Sequence, residues 1–470
     1  MKSKAPLLEA ILEYKSENNV LFSMPGNKSG KAFLKDELGE EFVNNMGYLD
    51  ITEVEPLDNF HEPEGVISTA QNLLRDYYGV RSAYFLVNGS SSGNLISIFS
   101  AFDEGDEVLV ERNCHKSIYN AIVLRKLKVT YIDPVIHGNI MLPPNEENII
   151  KAYNLANNPK GIILTSPSYY GISYDLRTTL INLKKKNLKI VIDEAHGAHY
   201  KASDKLPDGF YDVADYIVVS AHKTLPALTG GAYLLQNEEN DRTRFYISTF
   251  ITTSPSYLIM ASLDYARHYL ESYARQDYEK LIEYAQNYKG QINSLNKLKI
   301  LSSKDLPEGY AIDESRFVLT LDKEYSGEKL LQYFRKKHIQ CEMSFKEGVV
   351  LILSSVSYKE ELAKLKVAIE ELDLEEIKDI SFISENNPLQ KNKKILEPYE
   401  VFNYDICECD YDKSEGRVSA GFIAVYPPGI PLINPGEEIN KETIEMLDYY
   451  IKNNMKVLGI NTNKIKFVNL

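Results

Sequence analysis

Cysteine is scarce in this sequence: four residues among 470, at positions 114, 341, 407 and 409. So few and so scattered, they cannot form a disulfide scaffold, and they fit a reducing compartment, so a cytoplasmic location is expected. Basic residues are outnumbered, with 53 Lys and Arg against 67 Asp and Glu and a formal charge of −14. That balance argues against non-specific binding to nucleic acid, which draws its affinity from Lys and Arg on phosphates. Long hydrophobic runs are missing too. A membrane helix needs about 18 or more consecutive apolar residues, and the longest stretches here, such as Val349 to Leu353, are strand-sized. Glu9 and Glu13 break the first apolar stretch and leave no core for a signal peptide. The sequon-like Asn27-Lys28-Ser29 and Asn88-Gly89-Ser90 therefore have no secretory context. What remains is an ordinary globular balance, 44% apolar and 26% charged. At roughly 100–200 residues per domain, the length suggests two to four domains.

From about residue 65 to 235, short β-branched runs alternate with helical periodicity, the signature of an α/β domain with a parallel sheet covered by helices. Strands are predicted at 83–87, 107–110, 129–132, 161–165, 189–192, 216–219 and 232–235, most of them apolar on both faces, as buried parallel strands should be. Their connections are expected to be helix-length. A helix over 65–78 would align Val66, Ile67, Ala70, Leu73, Leu74 and Tyr77 on one stripe, and another over 255–270 would open with Pro255 near its first turn. A long connecting helix is predicted over 277–295, then a strand-helix-strand-helix module over 316–321, 327–337, 349–353 and 359–372. A polar stretch over 384–394 precedes a segment dense in Pro and Gly between Tyr426 and Gly436, which marks a last subdomain. The expected division is an N-terminal arm over 1–64, a large α/β domain over 65–295, a small α/β domain over 296–383 and a C-terminal subdomain over 384–470.

The segment Val218-Val-Ser-Ala-His-Lys-Thr-Leu-Pro226 puts Lys223 just past a strand, beside His222 and after the hydroxyl of Ser220. Ligands of α/β sheets bind at the carboxyl ends of strands, and a lysine fixed there can form an imine with an aldehyde cofactor. Taken alone it would be a surface lysine. Thirty residues earlier Asp193 ends another strand at the same sheet edge; taken alone it would be a helix cap. Together they are the pair that pyridoxal 5'-phosphate (PLP) requires, a lysine for its aldehyde and an acid to keep its ring nitrogen protonated. Asn88-Gly-Ser-Ser-Ser-Gly93 follows a strand and opens a helix predicted over 94–102, so its N–H groups and hydroxyls suit a phosphate. It is neither GxGxxG nor a Walker A loop, and by itself it is an ordinary strand-helix turn. His115, after the next strand, offers a flat imidazole that could stack on a pyridine ring. A metal reading of His196, His199 and His222 lacks a third ligand at metal-like spacing, and Cys407-Glu-Cys409 has no second pair.

With these segments in hand, the chain resembles the PLP-dependent ornithine/lysine/arginine decarboxylases of the aspartate-aminotransferase fold (fold type I), in their shorter form. The resemblance runs nearly end to end. It rests on Met24-Pro-Gly-Asn-Lys-Ser-Gly30, Asp50-Ile-Thr-Glu53, His61-Glu-Pro-Glu-Gly65, Phe85-Leu-Val-Asn-Gly-Ser90, Arg112-Asn-Cys-His-Lys-Ser117, Thr165-Ser-Pro-Ser-Tyr-Tyr-Gly171, Asp193-Glu-Ala-His-Gly-Ala-His199, Ser220-Ala-His-Lys-Thr-Leu-Pro226, Ser254-Pro-Ser-Tyr257 and Tyr426-Pro-Pro-Gly-Ile-Pro431. It implies a mainly parallel seven-stranded sheet with helices on both faces, plus smaller α/β C-terminal domains. It also implies that Lys223 holds the aldehyde of PLP, with Asp193 at the pyridine nitrogen and His115 stacked on the ring. Ser90, Ser91, Ser220 and His222 would lie near the phosphate and His196 against the cofactor. The family's active site forms between two subunits, which implies a homodimer in which Thr253 or Ser254 reaches the partner's phosphate. With the chain starting so close to the PLP domain, the wing domain of the large members is not expected, nor their decamer. The implied reaction is decarboxylation of arginine, lysine or ornithine to the amine and CO2. Another PLP reaction such as transamination, or a weakly active paralogue that binds PLP in a regulatory role, stays open beside it. Two positions depart from the family: Asn27 stands where His is usual, and Gly421 where an acidic residue is common, so substrate choice or activity is expected to differ.

Overall fold

The computed structural model describes residues 4–138, 140–357, 359–379, 392–425, 430–452 and 455–470. Most of the predicted polar stretch over 384–394, and most of the Tyr426-Pro-Pro-Gly-Ile-Pro431 segment, lie outside the described residues. Seven strands form the central sheet in the spatial order Ser82–Leu86, Ala232–Gln236, Tyr216–Val219, Lys189–Asp193, Pro159–Thr165, Glu107–Glu111, Lys128–Ile132. Each corresponds to a predicted run. Ala232–Gln236 runs antiparallel to both neighbours, whereas the remaining pairs are parallel. An antiparallel return needs no crossover, so only the short helix Ala221–Thr224 and a loop separate Val219 from Ala232. A full α-helix, expected in every connection, is therefore missing here, and it is missing as well between Asp193 and Tyr216, where only the 3-10 turn Tyr200–Ala202 forms. The parallel strands all point one way, which brings Glu111, Thr165, Asp193 and Val219 to a single edge, and the register sets Asp193 beside both Thr165 and Val218.

The helix after the first strand begins at Gly89 and runs to Ala101, earlier than predicted, so Ser90 to Gly93 form its first turn instead of a loop. Gly89 adopts φ +78° at the turn. Gly93 is required by packing, since a Cβ there would lie 2.6 Å from Leu86 and 2.7 Å from Val218 side-chain atoms. Helices Val66–Tyr78, Tyr257–Ser272 and Ala274–Asn293 match predicted stretches within a few residues.

The small domain has the predicted strand, helix, strand and helix in order, with two further short strands, Ile339–Cys341 and Met343–Phe345, between the helix and Gly348. The four strands of its sheet, in the order Lys299–Ile300, Arg316–Thr320, Gly348–Ile352, Met343–Phe345, are all antiparallel. Ile339–Cys341 leaves to pair with Val20–Phe22 of the N-terminal arm. A tight hairpin then reverses the chain before Gly348. From there the arm reaches the Lys223 turn: Gly26 N–H donates to the His222 carbonyl (2.8 Å), and a Cβ at Gly26 would sit 2.5 Å from the Thr224 carbonyl carbon. One buried apolar cluster runs through the large sheet and into the small domain, while Ile423, Ile433, Ile439, Leu447 and Ile465 make a separate core near the C-terminus. Among the described residues, no helix is long and apolar enough to cross a membrane.

Candidate active site

Lys223 sits on the short helix that follows the Tyr216–Val219 strand, with its Nζ 3.0 Å from His196 Nε2. His196 is buried, and its Nδ1 receives a hydrogen bond from Arg316 Nη2 at 3.2 Å. A guanidinium only donates, so Nδ1 is the acceptor and a neutral ring carries its proton on Nε2. Burial, and then the charge of Lys223, hold the His196 pKa well below its ordinary value, which keeps the ring neutral. The Nε2–H can donate to Lys223 once that amine is unprotonated. Burial lowers the Lys223 pKa to about 8, against the opposing pull of Asp193, so the free amine becomes the main form above that pH. An unprotonated lysine amine is the form that attacks a carbonyl. We expect capture of PLP by the apoprotein to accelerate about tenfold per pH unit below pH 8 and to level off above it, because the amine fraction rises as pH passes the pKa. A stopped-flow pH series measures this; a rate flat between pH 6 and 8 would contradict the assignment.

Asp193 ends its strand 2% exposed. Its Oδ1 accepts from Ala195 N–H (3.1 Å) and its Oδ2 from Asn94 Nδ2 (2.8 Å). The same Asn94 amide donates to Ser117 Oγ (2.9 Å), which frees the Ser117 hydroxyl to donate to His115 Nδ1 at 2.8 Å. His115 therefore carries its proton on Nε2, and burial lowers its pKa. One hydrogen-bonded chain thus joins Asp193 to His115. Asn94 and Ser117 were not assigned roles in the sequence; the signal for Asn94 was a polar residue among the apolar Leu95, Ile96 and Ile98.

Ser220 Oγ donates to Ser90 Oγ (2.7 Å), uniting two predicted phosphate ligands at the first turn of the Gly89–Ala101 helix. His222 donates from Nδ1 to the Gly231 carbonyl (2.9 Å), leaving Nε2 as its acceptor. Ser91 is exposed, as are Thr253 and Ser254 on the loop before helix Tyr257–Ser272. The chain by itself does not bring these three into the hydrogen-bonded cluster of Ser90 and Ser220. The three imidazoles weighed as metal ligands face different partners, for His199 Nε2 pairs with Asp313 at 3.0 Å. Among the described residues, no cluster of three His, Cys, Asp or Glu could hold a metal.

Arg316 was missed in the sequence, because a charged residue opening an apolar strand reads as a boundary. It is fully buried, and its Nε and Nη1 have no hydrogen-bond partner. Gly171, at φ +74°, leaves it room: a Cβ there would lie 2.4 Å from Arg316 Cγ. Glu342 accepts from Met24 N–H (2.9 Å) and from the Tyr169 hydroxyl, and Tyr169 packs on the His196 ring with centroids 4.6 Å apart. The departure at Asn27 is buried, with Nδ2 donating to the Ala227 carbonyl (3.0 Å), so it latches the arm onto the loop after Lys223. Next to it, Lys28 is buried with its pKa lowered to about 7 by desolvation, and donates to the Ile352 carbonyl at 3.1 Å. Gly421 lies in the C-terminal subdomain, and the adjacent Phe422 packs on Tyr119, centroids 5.5 Å apart.

Residues 5–344 match the Orn/Lys/Arg decarboxylase major domain and residues 393–457 the C-terminal domain of the same family. The uncharacterized protein YaaO of Bacillus subtilis is 32% identical over 97% of this chain and 96% of its own length. An arginine decarboxylase of Bacillus anthracis is 28% identical over 96% of this chain and 93% of its own. Among solved structures, the lysine decarboxylase of Francisella novicida superposes with a TM-score of 0.77 at 18% identity, over 97% of this chain and 80% of its own, which shows the shared fold. The chain has the fold of the type I PLP-dependent enzymes, and by sequence it belongs to the Orn/Lys/Arg decarboxylase family.

Proposed function

We propose that this chain is a PLP-dependent decarboxylase acting on one basic amino acid, arginine, lysine or ornithine, as a homodimer in the cytoplasm. The observation that carries the reading is the Lys223 amine, 3.0 Å from His196 Nε2 and at the same sheet edge as the buried carboxylate of Asp193. The residues present fit PLP: an amine for its aldehyde, a carboxylate for its ring nitrogen, and two linked hydroxyls at a helix N-terminus for its phosphate. PLP supplies the aldehyde and, protonated at the ring nitrogen, a sink for the electron pair left when CO2 departs. Asp193, held by Asn94 and the Ala195 N–H, would keep that proton in place. Ser90, Ser91, Ser220 and His222, with Thr253 or Ser254 of the second subunit, would hold the phosphate, and His115 and His196 would hold the ring. Arg316, whose Nη1 has no partner and whose Nε lies 3.8 Å from Asp313 in a buried site, would offer a guanidinium nitrogen to the substrate carboxylate and so orient the bond that breaks. Lys223 and His115 are the candidates to return a proton to Cα. Four cysteines, none in a disulfide, suit a reducing compartment. The arm, two α/β domains and C-terminal subdomain, divided at 64, 295 and 383, remain our proposed units.

Asp193→Asn is expected to retain PLP and lose about 10²–10³ in kcat, the usual effect of removing one preorganised charge partner of a transition state. A PLP-loaded Asp193→Asn enzyme working at the wild-type rate would remove Asp193 from this role. The function itself is tested by CO2 release from arginine, lysine and ornithine, offered separately to the PLP-loaded protein. Release with one substrate names it. No release from any of them, with a Lys223-dependent visible absorption band present, keeps the cofactor and rejects the decarboxylase in favour of the regulatory reading.

A further inference from the structure

Away from the Lys223 cluster, the large domain holds a cavity of about 270 Å³. It lies at the outer side of the edge strand Ser82–Leu86, between helices Val66–Tyr78 and Arg242–Phe250. Arg81 and Ser82, at the start of that strand, line it, whereas Ser90 follows the strand's other end, about 13 Å further on at 3.3 Å per residue. The two sites therefore occupy opposite ends of one strand.

The lining charge has one sign. Arg75, Arg81 and Arg244 contribute to the wall, and no Asp or Glu does, in a chain whose acidic residues outnumber its basic ones 67 to 53. Arg75 and Arg81 make only exposed pairs, with Asp76 and Glu239, which are weak and readily exchanged. Arg244 has no ion-pair or hydrogen-bond partner among the described residues. His61 Nε2 donates to the Thr252 carbonyl (3.0 Å). Three guanidinium forks match carboxylate and phosphate oxygens equally well.

We propose that this cavity is a second binding site, for a compact multivalent anion bearing phosphate or carboxylate groups. The His61–Thr252 bond ties it to the loop that carries Thr253 and Ser254. Occupancy of the cavity thus bears on the position of that loop.

The test titrates inorganic pyrophosphate and citrate separately into the PLP-loaded protein by calorimetry, with no amino acid present. The result is then independent of whether the enzyme decarboxylates anything. At least one anion is expected to saturate at one site per chain, and to bind about tenfold or more weakly to Arg244→Glu, since a charge-assisted fork is lost and a repulsive charge added. Arg242→Glu makes the same charge change on the same helix outside the cavity, and is expected to shift the affinity less than twofold. Arg244→Gln replaces Arg244→Glu if the latter misfolds. Tighter binding of pyrophosphate assigns a phosphorylated ligand, and tighter binding of citrate a polycarboxylate. Failure of both anions to saturate, or equal weakening by Arg242→Glu, overturns the proposal.

Discussion

Lys223→Ala is expected to abolish the visible absorption band of the PLP-loaded protein and to lower kcat by at least about a thousandfold, the scale seen when a covalent nucleophile is removed. The argument rests on position as well as residue type. His196, itself held by Arg316, lies against the amine, and Asp193, the carboxylate to which Asn94 donates, is buried at the same strand ends. No neighbouring lysine is joined to that network: the buried Lys28 spends its hydrogen bonds on the Ser23 and Ile352 carbonyls. Spectroscopy and single-turnover decarboxylation on the same sample check the prediction. A Lys223→Ala protein that keeps the band and turns over would move the reactive amine elsewhere.

The second large effect concerns stability. Arg112, just past the Glu107–Glu111 strand, makes a bidentate pair with Glu437 at 2.5 and 2.7 Å, with Glu437 fully buried and Arg112 stacked over Tyr131. Burial works against the guanidinium charge, but the Glu437 carboxylate outweighs it and raises the Arg112 pKa above its ordinary value. Glu437 also accepts from the Asn434 N–H at 2.9 Å, so the pair fastens a C-terminal turn to the large sheet. Arg112→Met leaves a buried carboxylate with no counter-charge and should cost about 3–5 kcal/mol, whereas Arg112→Met with Glu437→Leu should recover most of that loss. Urea unfolding, with hydrogen exchange to follow residues 392–470, measures both. A single variant within about 1 kcal/mol of wild type would show that the contact is not desolvated as its burial implies.

Local pattern carried much of the fold. Each parallel strand is an apolar run, as Tyr216–Val219 is, because a strand buried on both faces has no polar side to hide. What local pattern could not carry was partner choice. Ile339–Cys341 reads like any short strand, and its pairing with Val20–Phe22, more than 300 residues away, depends on where the arm travels. The small sheet became antiparallel for the same reason. The site divides likewise. Lys223, Asp193 and His115 were legible because each follows a strand, and strand ends converge in a parallel sheet. Asn94 and Arg316 were not, since a single polar residue in an apolar helix or at a strand start acquires meaning only from what faces it.

By itself, then, the sequence determined the α/β class, the run of strands and the candidate site residues at their ends, because these follow from periodicity and from chemistry carried at fixed offsets along the chain. Only the tertiary structure decided which way Ala232–Gln236 runs, that the arm reaches the Lys223 turn, that Asn94 links Asp193 to Ser117 and His115, and that Arg316 sets the His196 tautomer. Each of these is a contact between residues remote in sequence, and hydrogen-bond direction and burial energy exist only once both partners are in place.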